Sequence, residues 1–461
     1  MWGVYIKRFF KLIREDIIRA RTELKTYHNQ FIPRFKTKTH KVIEQSKKYL
    51  SGCLTVQKRG TMTEIAKTVP NCNNQSLQHF ISDSLWDEQG LIYDIQDRLI
   101  ELIGDKENGS LQLDESGFPK QGNSSAGVQR QYCGRLGKKE NCQVGVFLGY
   151  VNDNKRTLID KRLYIPEDWA GDIKLRKKCG IPEDLVFETK AELGLEMILD
   201  AKRRYIPFGW IGMDSFYGQQ AWFLAELEKE RIVYIADIPC DTRVWLNKPD
   251  VGIPQKNGIR GRNPTVEKVL DNNNPIRVDK LVNELDSSQW HRVFLRDSER
   301  KEMWCRLAYL RVFPVKDKLP GEECWLIIRR NEGETETKYQ FSNTPTDTSI
   351  DRIGKMSCSR YWIERAIEDA KGEVGLADYE VRGYIGWNHH VAMVFMAMLF
   401  LLEMQGKWKS KAPLLTICDV REIFEVIMPK RKVTDKEILK LIKKKHKARY
   451  SAKLSHHIRG R

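Results

Sequence analysis

Residues 106–240 switch between two hydrophobic periods in an order that few folds accommodate, and this stretch constrains the chain more than any other. Leu111-Gln-Leu-Asp114 alternates as the end of a strand, Cys142–Val151 is a continuous β run, and Thr157–Ile165 is a third strand, with Gly- and Asn-containing turns between them. Three sequential strands at this spacing make an antiparallel meander. Pro182–Tyr205 then carries helical spacing, Phe208–Met213 is a short apolar strand ending at Asp214, Gln219–Lys229 is helical, and Ile232–Ile238 is again a strand.

The resulting order, β-β-β-α-β-α-β, is that of a ribonuclease-H-like α/β core. In that topology the strands ending at Asp114 and Asp214 are neighbours, so two acids a hundred residues apart meet at one edge of the sheet. Residues 1–105 read as a helical, basic N-terminal DNA-binding region with amphipathic stretches such as Leu91–Ile103. Over residues 241–350 the helical signal disappears. Trp290–Leu295, Met303–Phe313, Cys324–Arg330 and Thr337–Phe341 read as strands, and Lys248–Asn274 is rich in Gly, Pro and Asn, so a β-rich insertion is expected. Residues 351–405 supply the second part of the core through the helix Cys358–Leu376 and the apolar helix around Val391–Met404, and residues 406–461 read as a basic C-terminal tail.

The formal charge of +17 is concentrated at the two ends. Residues 1–60 hold 15 Lys and Arg against 4 Asp and Glu, residues 430–461 hold 13 against 2, and the body between them is left at −5. A polyanion partner explains basic arms on an acidic body, because each cation that neutralises a phosphate releases condensed counterions. Merely solvating tails would have few aromatics, yet Trp2, Tyr5, Phe9, Phe10, Phe31 and Phe35 interleave with the N-terminal charges. A membrane surface is the weaker fit. The longest apolar run, Val391–Leu402, has 12 residues, against about 20 for a bilayer span, and reads as a buried helix.

The ten cysteines form no CxxC pair and no zinc-type spacing, which fits free thiols in a reducing cytoplasm. Met1–Phe10 is interrupted by Lys7 and Arg8 and no cleavage site follows, so secretion is not signalled. Gly134-Arg-Leu-Gly-Lys-Lys139 lacks the spacing of a phosphate loop, so no nucleotide cofactor is expected.

Carboxylates brought together repel unless cations lie between them. Hard oxygen ligands select magnesium or manganese, and a pair of such ions activates a water or a 3′-hydroxyl and stabilises the leaving oxygen of an in-line phosphoryl transfer. A third acid is available on the helix Cys358–Leu376. At about 100° per residue, Arg360, Glu364 and Lys371 fall within roughly 60° of arc, beside a stripe of Ile363, Ile367, Ala370 and Val374 suited to packing on the sheet. Glu368 lies on nearly the same stripe, so helix geometry leaves Glu364 and Glu368 both open. Each position has an ordinary structural explanation as a turn former or a solvated face; joint placement favours chemistry. Upstream, Met62–Lys67 and Gln75–Ser84 read as two short helices around a breaker-rich turn. As a helix-turn-helix they would read DNA through Gln75, Gln78 and His79, and a plain helical hairpin fits the same pattern.

Several segments closely resemble bacterial insertion-sequence transposases. They are Leu113-Asp-Glu-Ser-Gly-Phe-Pro-Lys-Gln-Gly122, Gly127-Val-Gln-Arg-Gln-Tyr-Cys-Gly134, Gly137-Lys-Lys-Glu-Asn-Cys-Gln-Val-Gly145, Gly212-Met-Asp-Ser-Phe-Tyr-Gly218, Glu323–Arg330, and Trp362-Ile-Glu-Arg through Gly386-Trp387. The specific resemblance is to insertion-sequence family seven-hundred-and-one, a relative of the insertion-sequence-four group, and it covers most of residues 60–404. It implies a DDE enzyme whose catalytic, metal-holding triad is Asp114, Asp214 and Glu364, with two magnesium or manganese ions. The related group carries a Tyr-x2-Arg-x3-Glu-x6-Lys signature in which Arg and Lys contact DNA near the cut. Arg360, Glu364 and Lys371 fit that spacing, which selects Glu364, while Ser357 stands at the Tyr position.

Beside Asp114, Ser116 and Lys120 are candidates to position phosphate. Trp290, Trp304 and Trp325 are candidates to stack on an unpaired base, with core packing the commoner role, and His389-His390 reads as structural. The implied activity is cut-and-paste transposition of double-stranded DNA by a homodimer, with the basic tail around Lys440–Arg449 assisting. A catalytically inactive DNA-binding relative and a nuclease without strand transfer are the alternatives.

Overall fold

A helix with no polar face has only the interior to occupy, and the stretch Tyr384–Trp408 does so: almost every side chain from Gly386 to Met404 is buried. By length and composition it could cross a bilayer, but the rest of the chain encloses it. The computed structural model describes residues 11–37, 41–56, 59–255, 262–297, 302–333 and 335–459. Helices α1 (Arg14–Gln30), α2 (Ile43–Thr55), α3 (Met62–Thr68), α4 (Asn74–Ser82) and α5 (Glu88–Ile103) come first. Strands β1 (Gly109–Pro119), β2 (Gln129–Cys133), β3 (Lys138–Asn152) and β4 (Lys155–Leu163) follow, then α6 (Lys190–Arg203), β5 (Trp210–Met213), α7 (Ser215–Gly218), α8 (Ala221–Lys229) and β6 (Tyr234–Ile238). After β7 (Arg243–Trp245) come β8 (His291–Asp297), β9 (Glu302–Lys316), β10 (Cys324–Asn331) and β11 (Thr337–Ser342). Helices α9 (Ile350–Cys358), α10 (Tyr361–Glu373), α11 (Tyr384–Trp408), α12 (Ile417–Ile427) and α13 (Asp435–Arg459) complete the chain.

The result is a mixed α/β protein whose main sheet runs β7-β9-β10-β11-β6-β5-β1-β3-β2, with β8 on β9 and β4 on β3. The meander is present: β1 pairs antiparallel with β3, and β3 with β4. β5 then joins β1 in parallel, and β6 joins β5 in parallel. Central helix α11 packs against β4 and against α2, α4, α5 and α12. Helix α6 starts later than the helical spacing from Pro182 suggested. A reciprocal cap sets its start: the Thr189 hydroxyl accepts from the Glu192 amide, and the Glu192 carboxylate accepts from the Thr189 amide.

Residues 241–350 are β-rich, and β7 to β11 extend the main sheet, with β11 pairing antiparallel to β6, Tyr339 opposite Ile238. Of the expected basic tail 406–461, the first part packs on the core through α12. Phe424 of α12 packs on Phe400 and Trp408 of the central helix, and the basic residues beyond form the exposed helix α13. Phe31 and Phe35 do not join the N-terminal charges at a surface; both are buried among Tyr27, Phe80 and Trp86, because a large ring gains more from core packing than a nearby lysine gains from its presence. Trp2, Tyr5, Phe9 and Phe10 lie outside the described residues.

Gly218 ends α7 where that helix touches β6. A Cβ at this position would lie 2.1 Å from the backbone oxygen of Asp237, and a backbone atom in a sheet has little room to retreat. Gly218→Ala is expected to lower stability by about 1–3 kcal/mol in urea unfolding; an unchanged midpoint would refute this close approach.

Candidate active site

Sheet register assembles the site. Leu113 lies opposite Met213, and Met213 opposite Ala236, so the residues that follow them, Asp114, Asp214 and Asp237, stand level on three adjacent strands. Such strands are spaced by about 4.8 Å, close enough for the carboxylates to repel. Asp114 is pushed up to about 7, first by burial and then by the charge of Asp214, with Arg360 opposing both. Burial raises Asp214 as well, and Arg360 again opposes it. Asp214 also caps α7, its Oδ1 accepting from the amides of Phe216 and Tyr217.

The expected helix Cys358–Leu376 is α10, Tyr361–Glu373, and a separate helix, α9, precedes it with a break at Ser359. The Ser359 hydroxyl donates to the Met356 carbonyl and accepts from Gln112 and Trp210, tying the break to β1 and β5. Arg360 follows in helical backbone geometry, so it and Glu364, four residues on, share a face of α10. Its guanidinium enters the acid row: Nε lies 3.0 Å from Asp237 Oδ2, one terminal nitrogen 2.6 Å from Glu364 Oε1, and the other 3.7 Å from Asp114 Oδ2. Glu368 turns away to Arg365 at 2.6 Å.

Among the described residues, no group of three or more His, Cys, Asp or Glu is gathered closely enough to hold a metal ion as it stands. The cation between these acids is Arg360. The donor set is nonetheless all carboxylate oxygen, the chemistry that suits a hard divalent ion, with the guanidinium as its stand-in. The Tyr217 hydroxyl, buried where Glu115, Asp214 and Asp114 act on it, has no hydrogen-bond partner among the described residues.

Other residues singled out from the sequence fall at varied distances from this row. Lys371 reaches the Ser116 hydroxyl at 2.6 Å, two residues along β1 from Asp114, and lies over the Phe118 ring. Lys120 sits 3.5 Å from the centre of the Tyr379 ring, and burial lowers its ammonium to about 8. Gln75, Gln78 and His79 are exposed on α4, which packs against α2, α3 and α11, not against the acid row. Ser357 is buried; its hydroxyl donates to Gln340 Oε1 at 2.5 Å, and Gln340 Nε2 donates to Asp237 Oδ1 at 2.6 Å.

The three tryptophans are all engaged. Trp325 is buried and donates to the Thr344 carbonyl, Trp290 lies beneath Arg330, and Trp304 is flanked by Arg292 and Phe294. His389 and His390 are core residues that bond to the Ile81 carbonyl and the Tyr49 hydroxyl, and burial lowers both to about 4.

Asp237 and Gln340 had not been singled out. Asp237 follows the pattern of Asp214, an acid at the end of an apolar strand, whereas β1 runs on to Pro119 and leaves Asp114 at mid-strand and not at the strand end the alternation suggested; the parallel register is what would have placed Asp237 in line. A cavity of about 210 Å³ opens here, lined by Asp237, Arg360 and Glu364 together with the cations Arg296, Arg329 and Lys338. A larger groove of about 750 Å³, lined by Arg156, Trp362 and Arg365, shares Arg296 and Tyr361 with it but contains none of these acids.

The family model described as DDE superfamily endonuclease matches residues 30–302, more than half of the chain. That segment contains Asp114, Asp214 and Asp237 but stops before α10. The chain is also 25% identical over 353 residues to the probable transposase for insertion sequence element IS701 of Microchaete diplosiphon, covering 73% of this chain and 77% of that protein.

Two outcomes follow from the geometry. An Asp carboxyl at about 7 when folded, against about 3.9 unfolded, keeps a proton that the unfolded chain has released. Stability without divalent ions therefore falls as pH rises from about 4 to about 7, and the loss is complete above that. Asp114→Asn removes the charge and is expected to stabilise by on the order of 4 kcal/mol at pH 8, fading to nothing near pH 4; equal gains at both pH values in urea titrations would contradict the assignment. Ser357→Tyr forces a ring into a filled site and is expected to cost about 1–3 kcal/mol, measured the same way.

Proposed function

Because the chain belongs to the DDE superfamily of endonucleases, we propose that it is a DNA transposase that cuts at the ends of its element and joins the freed 3′-hydroxyl to target DNA. The observation that carries this reading is the level placement of Asp114 and Asp214, with Glu364 sharing the Arg360 guanidinium with Asp114. The similarity to a probable insertion-sequence transposase favours strand transfer over cleavage alone. The strand order β4-β3-β1-β5-β6, antiparallel then parallel, supports a ribonuclease-H-like core made of residues 106–240 and 351–405.

Asp114, Asp214 and Glu364 are the residues that would hold two magnesium or manganese ions, which when bound supply charge stabilisation and a more acidic nucleophile. The chain's own cations do the rest. Arg360 and Lys371 flank Glu364 on α10 and hold the strand near the cut, and Lys120 and Ser116 line the approach along β1. Double-stranded DNA is gripped further out by Gln75, Gln78 and His79 on α4, and by the exposed Lys440, Lys443, Lys444, Lys445, Lys447 and Arg449 of α13. Two element ends held at once call for two copies, a homodimer on DNA, acting in the cytoplasm where that DNA lies. No step requires a nucleotide cofactor.

The test incubates the purified protein and magnesium with a labelled fragment carrying the DNA that flanks the gene, plus target plasmid. Cleavage with joining is the expected outcome; cleavage alone would make the protein a nuclease, and binding alone an inactive relative. Glu364→Gln should lose at least about a hundredfold in cleavage rate while Glu368→Gln retains it, and the reverse result would move the third acid to Glu368.

A further inference from the structure

Arg360 is the most heavily engaged cation near the acid row, and its engagement is graded. Its two shortest contacts are to Glu364 at 2.6 Å and Asp237 at 3.0 Å, with Asp114 at 3.7 Å, and its side chain is 22% exposed. Asp237 is itself fixed. Its other oxygen accepts from Gln340, and Gln340 bonds both the hydroxyl and the carbonyl of the buried Ser357. The grip on Arg360 is through Nε, at the base of the guanidinium. The two terminal nitrogens point to Glu364 and Asp114, the same oxygens that a divalent ion would take.

A guanidinium and a divalent ion competing for those oxygens exclude one another, but the Nε anchor remains when the terminal nitrogens are displaced. A planar fork held at its base and stripped of its carboxylates is suited to bidentate contact with a phosphate. We propose that Asp237 is a positioning residue that holds Arg360 as an internal counter-cation for Asp114 and Glu364, and that Arg360 passes its fork to a DNA phosphate when divalent ions enter. This rests on the reading of the acids as metal-holding. Ion and DNA then strengthen each other's binding, reciprocally.

The experiment measures Mn²⁺ binding to the full chain without DNA, by the electron paramagnetic resonance signal of free Mn²⁺, and duplex affinity with and without Ca²⁺. Circular dichroism checks that each variant is folded. Arg360→Gln should bind Mn²⁺ about tenfold more tightly than wild type, whereas Arg360→Lys, which keeps the charge, should stay near wild type. Calcium should raise duplex affinity in wild type, and Asp237→Asn and Arg360→Gln should lose that gain; a merely structural role for Asp237 would not tighten or uncouple anything. A folded Arg360→Gln that binds Mn²⁺ no better than wild type, or an Asp237→Asn that keeps the calcium gain, overturns the proposal. If wild type binds Mn²⁺ and cleaves DNA in that case, the endonuclease reading stands; if wild type takes up no Mn²⁺, the reading falls and the proposal falls with it.

Discussion

Repulsion among carboxylates on neighbouring strands is the constraint around which the rest of the molecule is organised. Parallel pairing sets Asp114, Asp214 and Asp237 level, and the charge of Asp214 raises Asp114. Charge must be supplied from outside the sheet, and α10 supplies it. That helix packs on the sheet with the end of the Ile363 side chain against Gly149, where a Cβ would meet Ile363 Cδ1 at 2.5 Å. The Ser359 tie to Gln112 and Trp210 then aims Arg360 at the acids.

Much of this was legible from local pattern. Alternation located β1 and the meander, and helical spacing located α5, α6, α8 and the apolar α11, because these signals depend only on neighbours in the chain. Pairing is not local. Nothing within residues 337–342 indicates that they sit beside residues 234–238, so the β-rich character of 241–350 is legible while its pairing with β6 is not. Asp237 went unremarked for the same reason. The glutamates of α10 show the limit from the other side: helical arc leaves Glu364 and Glu368 equivalent, the spacing of the resembled signature favours Glu364, and in the fold Glu364 pairs with Arg360 while Glu368 pairs with Arg365.

Ser357 illustrates how a departure from a motif can be structural. A serine at that place is small enough to be buried, and its hydroxyl completes a chain through Gln340 to Asp237. Aromatic residues misled in the opposite sense: Phe31 and Phe35 lie among lysines in sequence but among rings in space. Charge density along a chain is therefore a poor guide to what its large apolar side chains face.

The continuity of the main sheet has a mechanical consequence. From β6, which carries Asp237, three further strands, β11, β10 and β9, continue edge to edge through uninterrupted pairing. Each step adds about 4.8 Å, so β9 runs roughly 14 Å from β6 across the sheet, at a separation fixed by backbone hydrogen bonds and not by a hinge. Whatever lies across both strands is measured against a rigid ruler whose divisions are the strands themselves.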